Sequence, residues 1–168
     1  MLRTLLFTTA LTLGTLLSGA LAQADGHHGA HKAEDAFARR EREVMPFDLE
    51  ATLHVFTKSA GGGVQRVRVR EAGDTANLAL IRSHLKEEQA RFSRGDFADP
   101  AYLHGADMAG LATLRTAAAA GRLEVEYQPV PAGAELIYKA AETEVVAALH
   151  RWFETQVADH GTNATVVE

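Results

Sequence analysis

The sequence predicts a single α+β domain, a four-stranded antiparallel sheet made from two hairpin-helix halves with the helices packed on one face. Three observations predict it. Alternating apolar residues flank a Gly-rich turn at Gly61, Gly62 and Gly63 and a Pro/Gly-rich turn between Pro129 and Gly133. Each of these hairpins is followed by a segment with apolar residues at helical spacing. The two halves thus read strand-strand-helix, with one short helix between them, and a single sheet covered by helices is the simplest way to bury all their stripes together.

Residues 1–22 combine an early Arg3, an apolar run and the small-x-small ending Ala20-Leu21-Ala22, the pattern of a secretory signal. Several Thr and Gly interrupt the run and no second apolar stretch follows, so no membrane span is expected once the leader is removed. The expected location is the periplasm or the exterior. The formal net charge of −5 becomes more negative without Arg3, which argues against a nucleic-acid partner. There is no cysteine, so thiolate metal sites, iron–sulfur clusters and cysteine catalysis are excluded, and an exported domain must hold together by packing alone.

Residues 23–44 are polar, small and charged, a composition expected to stay a disordered arm. The arm carries His27, His28 and His31, a tract suited to loose capture of Cu, Zn or Ni. The domain is expected over residues 45–161, with residues 162–168 as a tail. Residues 47–55 alternate as a strand with Leu49, Ala51, Leu53 and Val55 on one face and His54 and Phe56 on the other. Residues 57–63 form the turn, and Val64, Val67 and Val69 mark the return strand, whose Arg66, Arg68 and Arg70 face solvent. Asp74 or Thr75 caps a helix reaching Phe92, with Leu78, Ile81, Leu85 and Phe92 buried and Gly95 as its stop.

Residues 92–111 hold the densest run of chemistry-bearing side chains. Asp99 before Pro100 reads as a helix start, and Asp107 as the cap of a second helix carrying Met108, Leu111 and Leu114 toward Gly121. If that helix begins slightly earlier, His104 and Met108 lie one turn apart and face one point, a pairing that suits copper in a compartment where cysteine is absent. Leu123, Val125 and Tyr127 form the third strand, Leu136 and Tyr138 the fourth. A last helix starts near Thr143, buries Val145, Val146, Leu149, Trp152, Phe153 and Val157, and closes at His160 and Gly161.

Each long helix also carries a His with a Glu one turn on, His84 with Glu88 and His150 with Glu154, able to present an imidazole and a carboxylate to one ion or simply to pair with each other. No catalytic signature is present. Ser59, Ser83 and Ser93 stand outside any Gly-x-Ser-x-Gly elbow, there is no His-Glu-x-x-His, and the glycine-rich turns lack the Lys-Ser/Thr of a phosphate loop.

The segments His54-Val-Phe-Thr-Lys58, Gly95-Asp-Phe-Ala-Asp-Pro100, His104-Gly-Ala-Asp-Met108 and Asp159-His-Gly161 resemble a family of small exported bacterial proteins of unknown activity, over nearly all of residues 45–161. Members are often labelled aspartate carbamoyltransferase. Such an enzyme would need a longer two-domain chain and a Ser-Thr-Arg-Thr phosphate loop, both lacking here. The resemblance implies an exported single domain and points to His54, His104, Asp107, Met108 and His160.

Together these readings lead to a non-catalytic metal-binding protein, with copper first among the ions. Its ligands are expected among His54, His84, His104, Met108, His150 and His160, with His27, His28 and His31 capturing loosely. A haem-binding variant would use His and Met axially without covalent attachment, since no Cys-x-x-Cys-His is present. The alternative is a partner-binding or structural module in which the same residues only pack or pair. The geometric discriminator is whether at least three of these ligands meet around one point.

Overall fold

The computed structural model describes residues 25–167, with side chains from Asp35 onward. The proposed leader, and the side chains of His27, His28 and His31, lie outside the described residues. In chain order the elements are helix α1 (Asp25–Val44), strands β1 (Thr52–Ser59) and β2 (Gly62–Val69), helices α2 (Thr75–Phe92), α3 (Ala98–His104) and α4 (Leu111–Ala119), strands β3 (Glu124–Val130) and β4 (Gly133–Lys139), helix α5 (Thr143–His160), a 3₁₀ turn (Gly161–Asn163) and strand β5 (Ala164–Val167). Among the described residues no helix is long and apolar enough to cross a membrane.

The two expected hairpins are present and lie side by side, because β2 pairs antiparallel with β4. Their turns are tighter than the sequence pattern suggests: β1 runs on to Ser59 and β3 to Val130, leaving two residues at each bend. The α+β class holds, but the four-stranded antiparallel sheet needs correction. The sheet has five strands in the order β3-β4-β2-β1-β5, and β5 runs parallel to β1 with Ala164 opposite His54. The expected tail is therefore the fifth strand. Its β-branched Thr165, Val166 and Val167 favour extended backbone, and the edge of β1 offers the hydrogen-bond partners that so short a segment needs.

Cross-strand partners share a face, which fixes the inward side of the sheet as His54, Phe56, Gln65, Val67, Leu136 and Tyr138. All six are buried. The opposite side carries Arg66 and Arg68, as the alternation predicts, and Arg66 pairs there with Glu135 across the β2–β4 ladder. Helices α2 and α5 cover the inward side. Helix α2 starts where expected, with the Asp74 carboxylate accepting the Asn77 amide at 3.0 Å. Between α2 and α5, Phe92 and Phe97 stack at 4.4 Å, and the fully buried Trp152 meets both edge-on at 6.1 and 5.9 Å.

The segment expected to be a disordered arm instead forms α1. Its described half is amphipathic, with Phe37 and Val44 packed on the core while Arg39, Arg42 and Glu43 face water. Asp99 and Asp107 do not cap helices either. Phe97 precedes α3, and Asp99 is clamped by both terminal nitrogens of the Arg91 guanidinium. Gly110 precedes α4 with φ of +83°, and a Cβ there would stand 2.1 Å from the Ala148 carbonyl oxygen of α5. Only glycine lets α4 begin so close to α5.

Gly110→Ala should therefore cost roughly 2 kcal/mol or more in urea denaturation, from the close contact added to a left-handed backbone. Gly121→Ala, at φ of +68° with nothing within 4 Å of the added carbon, should lose only the backbone contribution, about 1 kcal/mol. Equal losses at the two sites would contradict the close approach of α4 and α5.

Candidate metal centre

Four histidines from four elements line one small cavity: His54 of β1, His84 of α2, His104 at the end of α3 and His160 at the end of α5. Val44 and Met45, at and just after the end of α1, line it too, with Glu88 and Gln156. The cavity volume is about 20 Å³. That is room for one water or one bare ion, and not for a porphyrin.

Each imidazole arrives for a local reason. His54 sits at an inward position of β1, between buried Thr52 and Phe56. His104 ends α3, where Gly105 at φ of +104° turns the chain out of the helix. His160 ends α5 just before Gly161. His84 lies one turn ahead of Glu88 on α2, its Nε2 3.5 Å from the carboxylate, so this expected helical pair is present.

Carboxylates set the ring tautomers. His104 Nδ1–H donates to Asp159 at 2.7 Å, and His160 Nδ1–H donates to Glu41 at 2.7 Å. Both rings are shut off from water, with side chains 1 % exposed. As neutral imidazoles, both then keep Nε2 as a lone pair. His54 hydrogen-bonds the Asn163 backbone. Its Nδ1 is buried with no partner among the described residues. His104 Nε2 and Glu88 Oε2 are likewise buried without a hydrogen-bond partner among the described residues.

The rings also stand close together. His104 and His160 are 5.1 Å apart between centres at 81°, and His54 and His160 are 5.3 Å apart, stacked within 3°. A metal about 2 Å from a ring nitrogen is about 3 Å from the ring centre, so two imidazoles on one tetrahedral ion have centres about 5 Å apart. The spacing suits shared ligation, but the parallel stack of His54 on His160 does not. Among the described residues no group of three or more His, Asp or Glu side chains is arranged to hold an ion as it stands.

The other expected ligands lie elsewhere. Met108 is buried in the hydrophobic core, in the turn between α3 and α4, and does not line the cavity. The one-turn spacing of His104 and Met108 fails because Gly105 ends the helix between them. His150 Nε2 lies 2.9 Å from the Gly62 carbonyl, and its presumed partner Glu154 pairs instead with Lys58 at 2.8 Å. Asp107 is exposed and apart from the cavity. Sequence reasoning missed Met45, Glu41, Asp159 and Gln156. Glu41 and His160 are 119 positions apart, and no local pattern could have joined them.

Burial lowers two imidazoles of the cluster, His54 and His104. It pushes the His54 imidazole from 6.5 down to about 3, helped by the neighbouring His160, His84 and His104 and opposed by the hydrogen bond to Asn163. Burial also lowers His104, against the opposing hydrogen bond to Asp159. For His84, burial pulls downward but the Glu88 carboxylate outweighs it and the net shift is upward.

Compared with protein-family models, curated proteins and solved structures, the chain matches none.

A His whose folded value lies below its unfolded value contributes stability that is full above 6.5 and is lost as pH falls through that value. His54 and His104 share that sign, and His84 has the opposite one. With the largest shift in His54, metal-free protein should lose stability between pH 6.5 and 5, with a slope approaching 1.4 kcal/mol per pH unit. Urea denaturation across that interval tests this. His54→Gln should flatten the slope whatever it does to the absolute stability, and parallel wild-type and variant curves would refute the assignment.

Proposed function

We propose that the protein is a periplasmic metal-binding protein whose site is built from His54, His104 and His160, with copper the leading ion. The observation that carries this reading is the set of imidazole lone pairs around an ion-sized cavity. His104 and His160 each donate their other ring N–H to a carboxylate, the arrangement that fixes the tautomer and raises the basicity of metal-ligating histidines. Glu88, with an unpartnered Oε2 at the same cavity, and His84 beside it are the further donors at hand.

Copper is favoured by the donor set and by the compartment. The chain has no cysteine, its leader-like start suits export, and Met45 brings a thioether to the cavity wall where Met108 was expected. Imidazole serves Cu(I), Cu(II) and Zn(II), while the thioether selects the softer Cu(I). Nothing in this reading calls for catalysis. The competing module reading makes the cluster a polar core bridged by one water, favoured by the stacked, non-ligating pose of His54 and His160.

Titration of the chain from Gln23 with Cu(I), Cu(II) and Zn(II), by competition with a chelator, separates the two. The metal reading expects one tight site, lost by about 100-fold or more in His104→Ala and in His160→Ala, since each removes a ligand and orphans a buried carboxylate. His150→Ala should bind as wild type. Met108→Ala should lower the melting temperature and leave affinity unchanged, because Met108 is a core residue. If wild type binds no ion more tightly than the His104→Ala/His160→Ala double variant, the cluster is structural and the module reading stands.

A further inference from the structure

The cluster is completed by the end of α1, whose Phe37 and Val44 also pack on the core. The end of α1 supplies the Glu41 carboxylate to His160 at 2.7 Å, and Val44 and Met45 to the cavity wall. Phe37, one turn before Glu41, lies against two of the rings, 5.6 Å from His104 and 5.8 Å from His160. Few polar contacts hold this helix down: Arg40 Nε donates to the Leu103 carbonyl at 3.3 Å, and Tyr102 donates to Glu43 at the surface. Among the described residues, it packs most on α3. The remaining wall belongs to β1, β2, α2, α3 and α5; the two strands, α2 and α5 pack together as the sheet and its covering helices, while α3 packs chiefly on α1 among the described residues.

We propose that α1 is a metal-dependent strap in which Glu41 is the positioning residue: docking of α1 sets His160 for ligation, and an ion in the site in turn holds α1 docked. This rests on the metal reading above. The physical link is the Glu41–His160 hydrogen bond. With the strap docked, the carboxylate holds Nδ1–H and leaves Nε2 as the ligating atom; with it undocked, His160 loses its partner, Phe37 leaves the rings and the cavity opens to water. Thermodynamic linkage makes the effect reciprocal, so the factor by which docking tightens the ion equals the factor by which the ion tightens docking. A strap of this kind gives the ion a route in and out of a cavity that is otherwise closed.

Hydrogen exchange of the amides of residues 37–44, measured without ion and with saturating Cu(I) or Zn(II), tests the inference alongside affinity. In wild type the ion should slow exchange in that segment at least tenfold while leaving α2 amides unchanged. Glu41→Gln should weaken the ion by about 10- to 100-fold, and the ion-dependent protection of α1 should shrink by a matching factor. Asp159→Asn should weaken the ion similarly yet keep full protection of α1 at saturation, since Asp159 orients His104 from α5. Phe37→Ala, which loosens the strap but leaves Glu41 in place, should also lower affinity. If wild type binds the ion but α1 exchanges at the same rate with and without it, or if Glu41→Gln binds as wild type, the strap is refuted while the metal reading stands. If wild type binds neither ion, the metal reading itself has failed and the strap falls with it.

Discussion

A buried imidazole is costly unless its polar atoms meet partners, and this domain gathers His54, His84, His104 and His160 around one cavity. The carboxylates that make this tolerable come from three helices: Glu41 of α1 on His160, Glu88 of α2 on His84 and Asp159 of α5 on His104. Two of these pairs cross a helix contact, so the polar cluster constrains how the helices sit. His104 joins α3 to α5, and His160 joins α5 to α1. The Arg91–Asp99 clamp then ties α3 to α2, and the short α3 cannot swing away without breaking two charge-assisted contacts. Because an orphaned partner would be left behind, removing any one member costs more than the pair contributes net.

The sheet keeps this arrangement separate from the apolar core. Its inward face carries His54 between Thr52 and Phe56 on β1 and Gln65 beside Phe56 on β2, while Val67, Leu136 and Tyr138 present apolar surface to the helices. Trp152 fills the apolar side of α5 against Phe92, Phe97, Tyr138 and Phe153. Gln156, one turn further along the same helix, already belongs to the cavity. One helix thus carries the transition from core to site along its length. β5, paired to β1 beside His54, brings the 3₁₀ turn with Asn163 within reach of that ring.

What the sequence made legible was local. The Asp74 cap, the apolar stripe of α2, both hairpins and the span of α5 follow from spacing and turn chemistry over a few residues, and the structure has them. The His84–Glu88 pair was legible for the same reason. What failed was judged locally but decided at long range. His104 and Met108 share a helical face only if the helix runs through Gly105, but Gly105 turns the chain at a positive φ and Met108 goes to the core. Residues 35–44 looked too polar to fold because their one useful stripe, Phe37, Glu41 and Val44, makes sense only against a site built from residues 104 and 160. The last four strand residues could not be told from a tail without the edge of β1 to pair with.

Among the described residues, three of the four buried side-chain atoms that lack a partner, His54 Nδ1, Glu88 Oε2 and His104 Nε2, belong to residues lining this cavity. Each such group costs roughly 1–3 kcal/mol if it stays unpaired, a large share of the roughly 5–15 kcal/mol by which a domain is stable. One water has two protons to give. It can satisfy two of these acceptors. A single cation satisfies electron-pair donors without supplying protons, and it draws several at once as far as the rings can turn toward it. A polar core kept only for packing would gain stability by trading these imidazoles for apolar side chains of similar volume; a site that must take up and release an ion has a physical reason to keep them.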